Sequence, residues 1–508
     1  MRLYWSRDMR LVDKATIEEM GVPSLRLMEN AAEAVAQALL EMVPELLGGS
    51  VAVLCGKGNN GGDGMAVARL LKAKGCEPEV LLAADPSTLS GDAAAQFERL
   101  APCGVPVAVL AGPDGLEEVC ERLRAADLIL DALLGTGLGG PGKGFYADLI
   151  GAVNGCGAFV AAVDIPSGLS GDAFGPSGPA VEADLTLTLA LPKPVLCTPE
   201  GAPFCGEVRV LDIGEPEEAT ARVPHAGEAL DEAWATPFFE ARAPGCHKGD
   251  IGRVLLVAGS RGMSGAAVLA ARGALRAGSG LVTVGVPRAM QPVVAASLPE
   301  AMTLALPETS EGTLSMDALM PVLEFCAGAD AVGLGPGIGP FPETQALCRE
   351  LYAKVPVPMA VDAGALGAFR GRERELAGHA APRILTPHPG EMARLVGRSA
   401  AEVLRDRYEL VPQKAAQWDV ALLLKGYRTL LASPGQPWRL NLSGGPHMAG
   451  PGFGDVLTGI TAALLGRGLP AFDAAALAAW WHGAAADEAS EALGGYGLLA
   501  SECADALP

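Results

Sequence analysis

The run SVAVLCGKGNNGGDGMAVARLLKAKG, residues 50–75, decides the fold. Its apolar residues 51–54 are a short buried strand, a glycine loop follows, and 65–74 return to apolar residues at helical spacing. A strand entering a helix through glycines is the first half of a βαβ unit. The loop contains Gly56-x-Gly58-x-x-Gly61, and the next strand candidate, 80–83, leads to Asp85, about where a dinucleotide site keeps its ribose-binding acid. A dinucleotide fingerprint does not require Asn59, Asn60 and Asp63. Those side chains offer amide and carboxylate oxygens to a cation or a sugar.

Outward from this unit, strand candidates 105–110, 128–131, 159–164 and 185–189 alternate with helical patterns, which predicts a parallel sheet covered on both faces. Residues 8–47 read as helical ahead of it. Asp131 precedes the loop GTGLGGPGKG (135–144), and Asp164 and Ser167 fall in DIPSG (164–168), so polar groups gather at strand ends, the edge where such sheets bind ligands. After 214 the texture becomes rich in Pro, Glu and Ala with no strong strand. A second alternation runs through 253–258, 281–286, 331–334, 357–362, 383–385 and 421–424. The fold class is α/β: a Rossmann-like doubly wound domain over 1–214, a linker region over 215–249, and a second α/β domain over 250–508.

Composition excludes several classes. The net charge of −21 argues against a nucleic-acid surface, and any phosphorylated ligand must be held by local donors. Eleven cysteines lie scattered without CxxC or zinc-type Cys/His spacing and read as reduced thiols. Neither a signal-type N-terminus nor an apolar run of membrane-spanning length is present, so a cytoplasmic enzyme is expected.

The second half turns on NLSGGPHMAGPGFGDVLTGITAALLGRG, 441–468. A glycine-rich loop runs into an apolar helix, so N–H groups and a helix N-terminus converge around Gly452, Gly454 and Asp455, a cradle for an anion. A carboxylate there repels phosphate unless it is protonated or faces a metal, which suits a base beside a phosphoryl group. The other reading of Asp455 is an ordinary N-cap.

In chain order, VLCGKGNNGGDGMAVARLL, DALLGTGL, AVDIPSGLSGD, LALPKPVL and GEVRVLDIG resemble the NAD(P)HX epimerase domain of bifunctional NAD(P)H-hydrate repair enzymes. KGDIGRVLLVAGSRGMSGAAVLAARGALRAGSGLVTV, GLGPGIG, VDAGAL, LTPHPGEMARL, LLLKGYRTLL and GFGDVLTG resemble its partner, the ribokinase-like ADP-dependent NAD(P)HX dehydratase. The resemblance implies repair of NADH or NADPH hydrated at C6 of the nicotinamide ring. The R and S epimers are interconverted, and the S form is dehydrated at the expense of a nucleotide through a phosphorylated hydroxyl. It places potassium ligands at Asn60, Asp131 and Ser167. Hydrate contacts fall at Asn59, Asn60, Gly61, Gly62 and Asp63, at Gly135, Thr136, Gly137, Leu138, Gly139, Gly140 and Pro141, and at Asp164, the candidate acid/base. In the dehydratase it places hydrate contacts at Ala266, Gly337, His388 and Asp455, and nucleotide contacts at Lys425, Gly426, Tyr427, Arg428, Thr429 and Gly454. Asp455 would be the base, and magnesium would accompany ADP. Glu391 could hold magnesium or orient the His388 loop.

One departure concerns the anion loop. The family run is close to GGTGD or GGSGD, whereas this chain has Gly450-Pro451-Gly452-Phe453-Gly454-Asp455, losing an N–H at Pro451 and a hydroxyl at Phe453. Weak or altered phosphoryl-donor use is one expectation from this. His447 likewise stands where a small residue is expected. Two other readings stay open, a ribokinase-like vitamin or sugar kinase and a non-catalytic nucleotide-binding sensor. The expected partners are NAD(P)H hydrates and ADP or ATP, with no nucleic acid, no membrane, and a homo-oligomeric assembly.

Overall fold

A computed structural model describes residues 1–110, 112, 115–135, 143–239 and 244–507. The chain forms two compact units, Arg2–Gly227 and Glu228–Pro508, with Met1 grouped with the second.

After the two-residue strand β1 (Arg2–Leu3), the first unit supplies β2 (Ser50–Cys55), β3 (Glu77–Leu82), β4 (Val107–Val109), β5 (Leu128–Ala132), β6 (Phe159–Val163), β7 (Leu185–Leu189) and β8 (Glu207–Leu211). They form one parallel sheet in the order β4-β3-β2-β5-β6-β7-β8. Period-two alternation sends Val51, Val53 and Cys55 into one core, against helices Ser24–Met42 and Asn59–Ala73, and Ala52 and Leu54 into the other, against Leu116–Ala125 and Phe145–Asn154. Apolar residues on both faces make the central strands read as continuous runs, not as alternations. The chain steps outward from β2 to β4, then restarts at β5 on the other side. That reversal opens a crevice at the carboxyl ends of β2 and β5.

The second unit contributes β9 (Gly227–Leu230), β10 (Arg253–Val257), β11 (Leu281–Pro287), β12 (Met302–Leu306), β13 (Ala331–Leu334), β14 (Met359–Val361), β15 (Arg383–Leu385), β16 (Ala421–Leu424), β17 (Leu430–Ala432) and β18 (Trp438–Asn441). Their order is β9-β18-β17-β16-β15-β14-β13-β10-β11-β12. From β16 to β12 the pairing is parallel, and β17 and β18 close the far side antiparallel. Here the reversal falls between β10 and β13. Helix Phe453–Gly466 is apolar on almost every side because it is buried beneath the sheet and between helices Ser264–Arg276 and Ala471–Leu493.

Three expectations change. The glycine-loop helix starts at Asn59, not near 65, because Gly61, Gly62 and Gly64 are helical residues packed against neighbouring atoms. Asp85 serves as a cap: its Oδ1 accepts from Ser87 N at 2.9 Å and Ser87 Oγ at 2.7 Å. Within 215–249, β9 and the short helices Glu217–Thr220 and Glu232–Ala235 take the place of strandless sequence.

Candidate functional site

In the first unit, the end of β5 and the turn after β6 meet at Asp131. This carboxylate is fully buried and accepts from Ser167 N at 2.7 Å, Ser167 Oγ at 2.6 Å and Leu133 N at 3.2 Å. Burial raises its pKa to about 6 against the lowering pull of those bonds. Ser167 Oγ also accepts from Leu134 N at 2.8 Å, and Asn60 Nδ2 donates to Leu134 O at 3.0 Å, which turns the Asn60 carbonyl oxygen away from that bond. The expected potassium set Asn60, Asp131 and Ser167 is therefore brought together around Leu134. Its donors are hard oxygens from three loops around a buried carboxylate, a set that suits a hard cation. Gly135 sits beside Asn60, where an added Cβ would lie 2.8 Å from Asn60 Cβ. Thr136, Gly137, Leu138, Gly139, Gly140 and Pro141 lie outside the described residues.

A cleft of ≈ 810 Å³ opens beside this cluster and is lined by Asn59, Asn60, Gly61, Asp63, Gly135 and Asp164 among others. That volume accommodates much of a dinucleotide. Asp164 has φ 66, a left-handed backbone uncommon outside glycine. Its Oδ1 accepts from Leu189 N at 3.1 Å, Thr188 Oγ1 at 3.2 Å and the ammonium of Lys193, in direct contact. Lys193 is 2% exposed, so this is a buried ion pair on the cleft wall. Asp63 stands deep in the cleft, where burial, then the charges of Asp164, Asp13 and Asp92, hold its carboxyl well above the usual range. Asp13 and Glu215 complete the wall as neighbours; burial, then Glu215, raises Asp13 to about 7. The sequence reading missed Lys193, Asp13 and Glu215. Only Lys193 carried a signal, in the quoted motif LPKPVL.

In the second unit, the candidate residues again follow strand ends. Asp362, 1% exposed, follows β14 and pairs with Lys425 Nζ at 2.7 Å, while Thr458 Oγ1 donates to its Oδ2 at 3.2 Å. Lys425 follows β16 and also stands 3.8 Å from Glu391. Burial works to lower the Lys425 pKa, but Asp362 and Glu391 outweigh it and the net direction is upward. Gly454 closes over this pair: a Cβ there would meet Asp362 Oδ2 and Lys425 Nζ, both at 3.2 Å. Asp455, in the first turn of helix Phe453–Gly466, is raised to about 7 by burial and by Asp362, against the lowering charge of Lys425. The cap residue of that helix is Gly452, so Asp455, three positions further on, is not the N-cap the sequence allowed.

His388 caps the short helix Pro389–Val396, its Nδ1 accepting from Gly390 N at 3.0 Å while its own N–H donates to Glu391 Oε2 at 2.9 Å. Glu391 thus orients the His388 turn. Ala266 and Gly337 face each other, with 3.0 Å between Ala266 Cβ and a Cβ built at Gly337. In the 425–429 turn, Thr429 Oγ1 donates to Gly426 O at 2.9 Å, Tyr427 is 53% exposed and Arg428 stacks on its ring at 5.3 Å. The Phe453 ring is buried in the core, 5.9 Å from the His482 ring, so its departure from the family run leaves the backbone N–H at the loop. Pro451 lies in the exposed turn before the helix and removes none of the helix's first amides. His447 Nε2 stands 3.1 Å from Asp487 Oδ1.

Residues 254–508 match the family described as NAD(P)H-hydrate dehydratase, and residues 24–195 match the family described as YjeF-related protein N-terminus. A protein of Moorella thermoacetica named bifunctional NAD(P)H-hydrate repair enzyme is 43% identical over 100% of this chain and 96% of its own length. Its namesake in Thermofilum pendens is 38% identical over 99% of this chain and 94% of its own. Among solved structures, an ADP/ATP-dependent NAD(P)H-hydrate dehydratase from Bacillus subtilis, co-crystallized with ATP/Mg2+, is 31% identical and covers 56% of this chain and 96% of its own, with a TM-score of 0.48.

Proposed function

Given that this chain belongs to the bifunctional NAD(P)H-hydrate repair enzymes, we propose that its first unit epimerises hydrated NADH and NADPH at C6 and its second, ribokinase-like unit dehydrates the S epimer with ADP or ATP. The observation that carries this reading is the repeated placement of carboxylates at the carboxyl ends of central parallel strands: Asp131 at the end of β5 and Asp164 after β6 in one unit, and Asp362 after β14, with Asp455 on the helix beside it, in the other.

In the second unit, hydroxide is a poor leaving group, and phosphorylating the C6 hydroxyl converts it into a good one. Asp455, with a pKa near 7, takes the hydroxyl proton as the oxygen attacks the terminal phosphoryl group. The first amides of helix Phe453–Gly466 and the Lys425 ammonium face the charge that builds there. Loss of phosphate from C6 and of a proton from C5 restores the ring double bond. Among the described residues no cluster of three or more His, Cys, Asp or Glu is arranged for a metal, and Asp362 and Glu391 are both turned toward Lys425, so magnesium would enter on the nucleotide's phosphates. Bound there, it supplies charge neutralisation.

In the first unit, Asp164 is the acid/base at the hydrate, held by Lys193, Thr188 and Leu189. A potassium ion on Asn60, Asp131 and Ser167 would supply the charge that buried Asp131 lacks and tie three loops together. Epimerisation should fall when potassium is replaced by a bulky organic cation, and Asp131→Ala should be rescued only partly by added potassium. A rate unchanged by that replacement removes the cation from the reading. Among the described residues no helix is long and apolar enough to cross a membrane. A cytoplasmic homo-oligomer is part of the same proposal, and light scattering of the purified protein tests the assembly. The deciding measurement is recovery of absorbance at the reduced-nicotinamide band from purified hydrates, with ADP and ATP supplied separately. A stable phosphorylated alcohol without dehydrated product would instead indicate a small-molecule kinase.

A further inference from the structure

Inverting a C6 centre that carries hydroxyl and nitrogen can proceed along two routes. In one, the hydroxyl takes a proton and leaves as water, and water returns to the opposite face and gives up a proton as it adds; N1, which carries the ribose, takes no part in either transfer, so donor and acceptor act in turn at oxygen alone. In the other, the C6–N1 bond opens, which needs an acceptor for the hydroxyl proton and a donor for N1 at the same time. The first unit's cleft has groups of both kinds.

All three bonds that hold Asp164 go to Oδ1, from Lys193, Thr188 and Leu189, which leaves Oδ2 for a substrate. Asp13 and Glu215 meet on the wall of the same cleft. Thr16 Oγ1 donates to Glu215 Oε2, whereas Glu215 Oε1 is buried with no donor supplied to it. Two neighbouring carboxyl groups, one with a buried oxygen that no donor reaches, favour a proton held between them, since two adjacent carboxylates cannot both ionise cheaply.

Resting on the epimerase reading above, we propose that the Asp13–Glu215 carboxyl pair is the proton donor and Asp164 the proton acceptor of an epimerisation that opens the C6–N1 bond. Asp164 Oδ2 takes the hydroxyl proton, the O–H electron pair becomes the second C6–O bond, and the C6–N1 pair moves to N1, which takes the proton of the carboxyl pair. The product is an aldehyde and a secondary amine. Rotation about C5–C6 presents the other face. N1 then attacks C6, its proton returns to the carboxyl pair, and Asp164 gives its proton back to the oxygen. No oxidant, reductant or water is consumed. The charged groups facing Asp13 are Glu215, Lys193, Asp164 and Asp63. Arg10, Lys57, Asp92 and Lys143 stand on the wall of the same cleft. Of these, Lys193 opposes the retention of a proton at Asp13, while Glu215 and Asp164 favour it.

The test uses the full-length protein and R hydrate in ¹⁸O-water, following R-to-S conversion and the oxygen isotope at C6. The parent should convert with the original oxygen retained, and its rate should fall as pH rises through about 7, where the donor pair loses its proton. Asp13→Asn should slow conversion by at least about 10²-fold with hydrate affinity kept. Glu215→Gln should move the alkaline fall to lower pH, because the remaining Asp13 no longer faces a second carboxylate. Incorporation of one solvent oxygen per inversion, a flat profile through pH 7, or parent-like conversion by Asp13→Asn overturns the proposal while leaving an active epimerase. A parent that does not convert R to S above the protein-free rate overturns the epimerase reading, and this inference with it.

Discussion

At the residue scale, Asp455 as a first-turn helix carboxylate and Asp455 as base make separable forecasts. Asn has nearly the shape of Asp without its charge, so Asp455→Asn should keep the fold and nucleotide affinity. Loss of a general base costs about 10² to 10⁴ in rate, so nucleotide-driven dehydration should nearly vanish while R-to-S conversion continues. The parent's dehydration rate should rise with pH through about 7, as Asp455 loses its proton. The stability sign is opposite. With the folded pKa raised, the unfolded chain ionises first, so between about pH 4 and 7 the parent loses stability and above 7 the deficit is constant. Asp455→Asn should therefore be the more stable protein at pH 8, by about 1–3 kcal/mol after solvent screening, with the gap closing toward pH 4 in denaturant titrations. Asp455 and Ser167 were legible because each interrupts glycine or proline punctuation, and Asp131 because it is a lone carboxylate in an apolar run that leads into a glycine loop. Asp13 was not, because MRLVDKAT reads as an ordinary amphipathic surface helix and its partner, Glu215, comes from the far end of the unit.

At the scale of elements, the first unit's site depends on a helix N-terminus brought very close to other backbone. Gly61 lies in the first turn of helix Asn59–Ala73, and a Cβ there would stand 1.9 Å from Gly56 O. Backbone cannot step aside as a side-chain tip can, so Gly61→Ala should destabilise the first unit by roughly 3 kcal/mol or more. Gly58→Ala, three residues earlier and with open space around its Cβ, should cost less than about 1 kcal/mol. Differential scanning calorimetry of the two variants checks the contrast, and equal melting would mean the Gly56 turn can relax. The same packing explains why the sequence placed this helix's start late. Glycines are poor helix formers, and the close tertiary approach of the Gly56 turn to Gly61, of Met28 and Ala93 to Gly62, and of Ala132 and Cys55 to Gly64 accounts for them. Buried parallel strands were readable as apolar runs down to the three residues of β14, whereas β9 (GEAL) and β18 (WRLN) carry polar residues that break such a run.

At the scale of the whole chain, −21 charges repel phosphorylated ligands, so each unit must hold its own by amides and a few buried cations such as Lys193 and Lys425. Such a design lets the units be tested apart, provided each keeps its own edge residues. Compact organisation places Glu215 with the first unit and β9 with the second. A fragment of residues 1–227 should epimerise the hydrate, whereas 1–214, which lacks Glu215, should fold on the same sheet and convert R to S far more slowly. A fragment starting at 226 retains β9 beside β18 and should dehydrate the S epimer alone. Starting at 231 removes β9 and leaves the β18 edge open, so that fragment should be the more prone to aggregate. If 226–508 is soluble and monodisperse but regenerates no NADH with either nucleotide, its dehydratase site needs residues from the first unit, and the separation of the two activities fails.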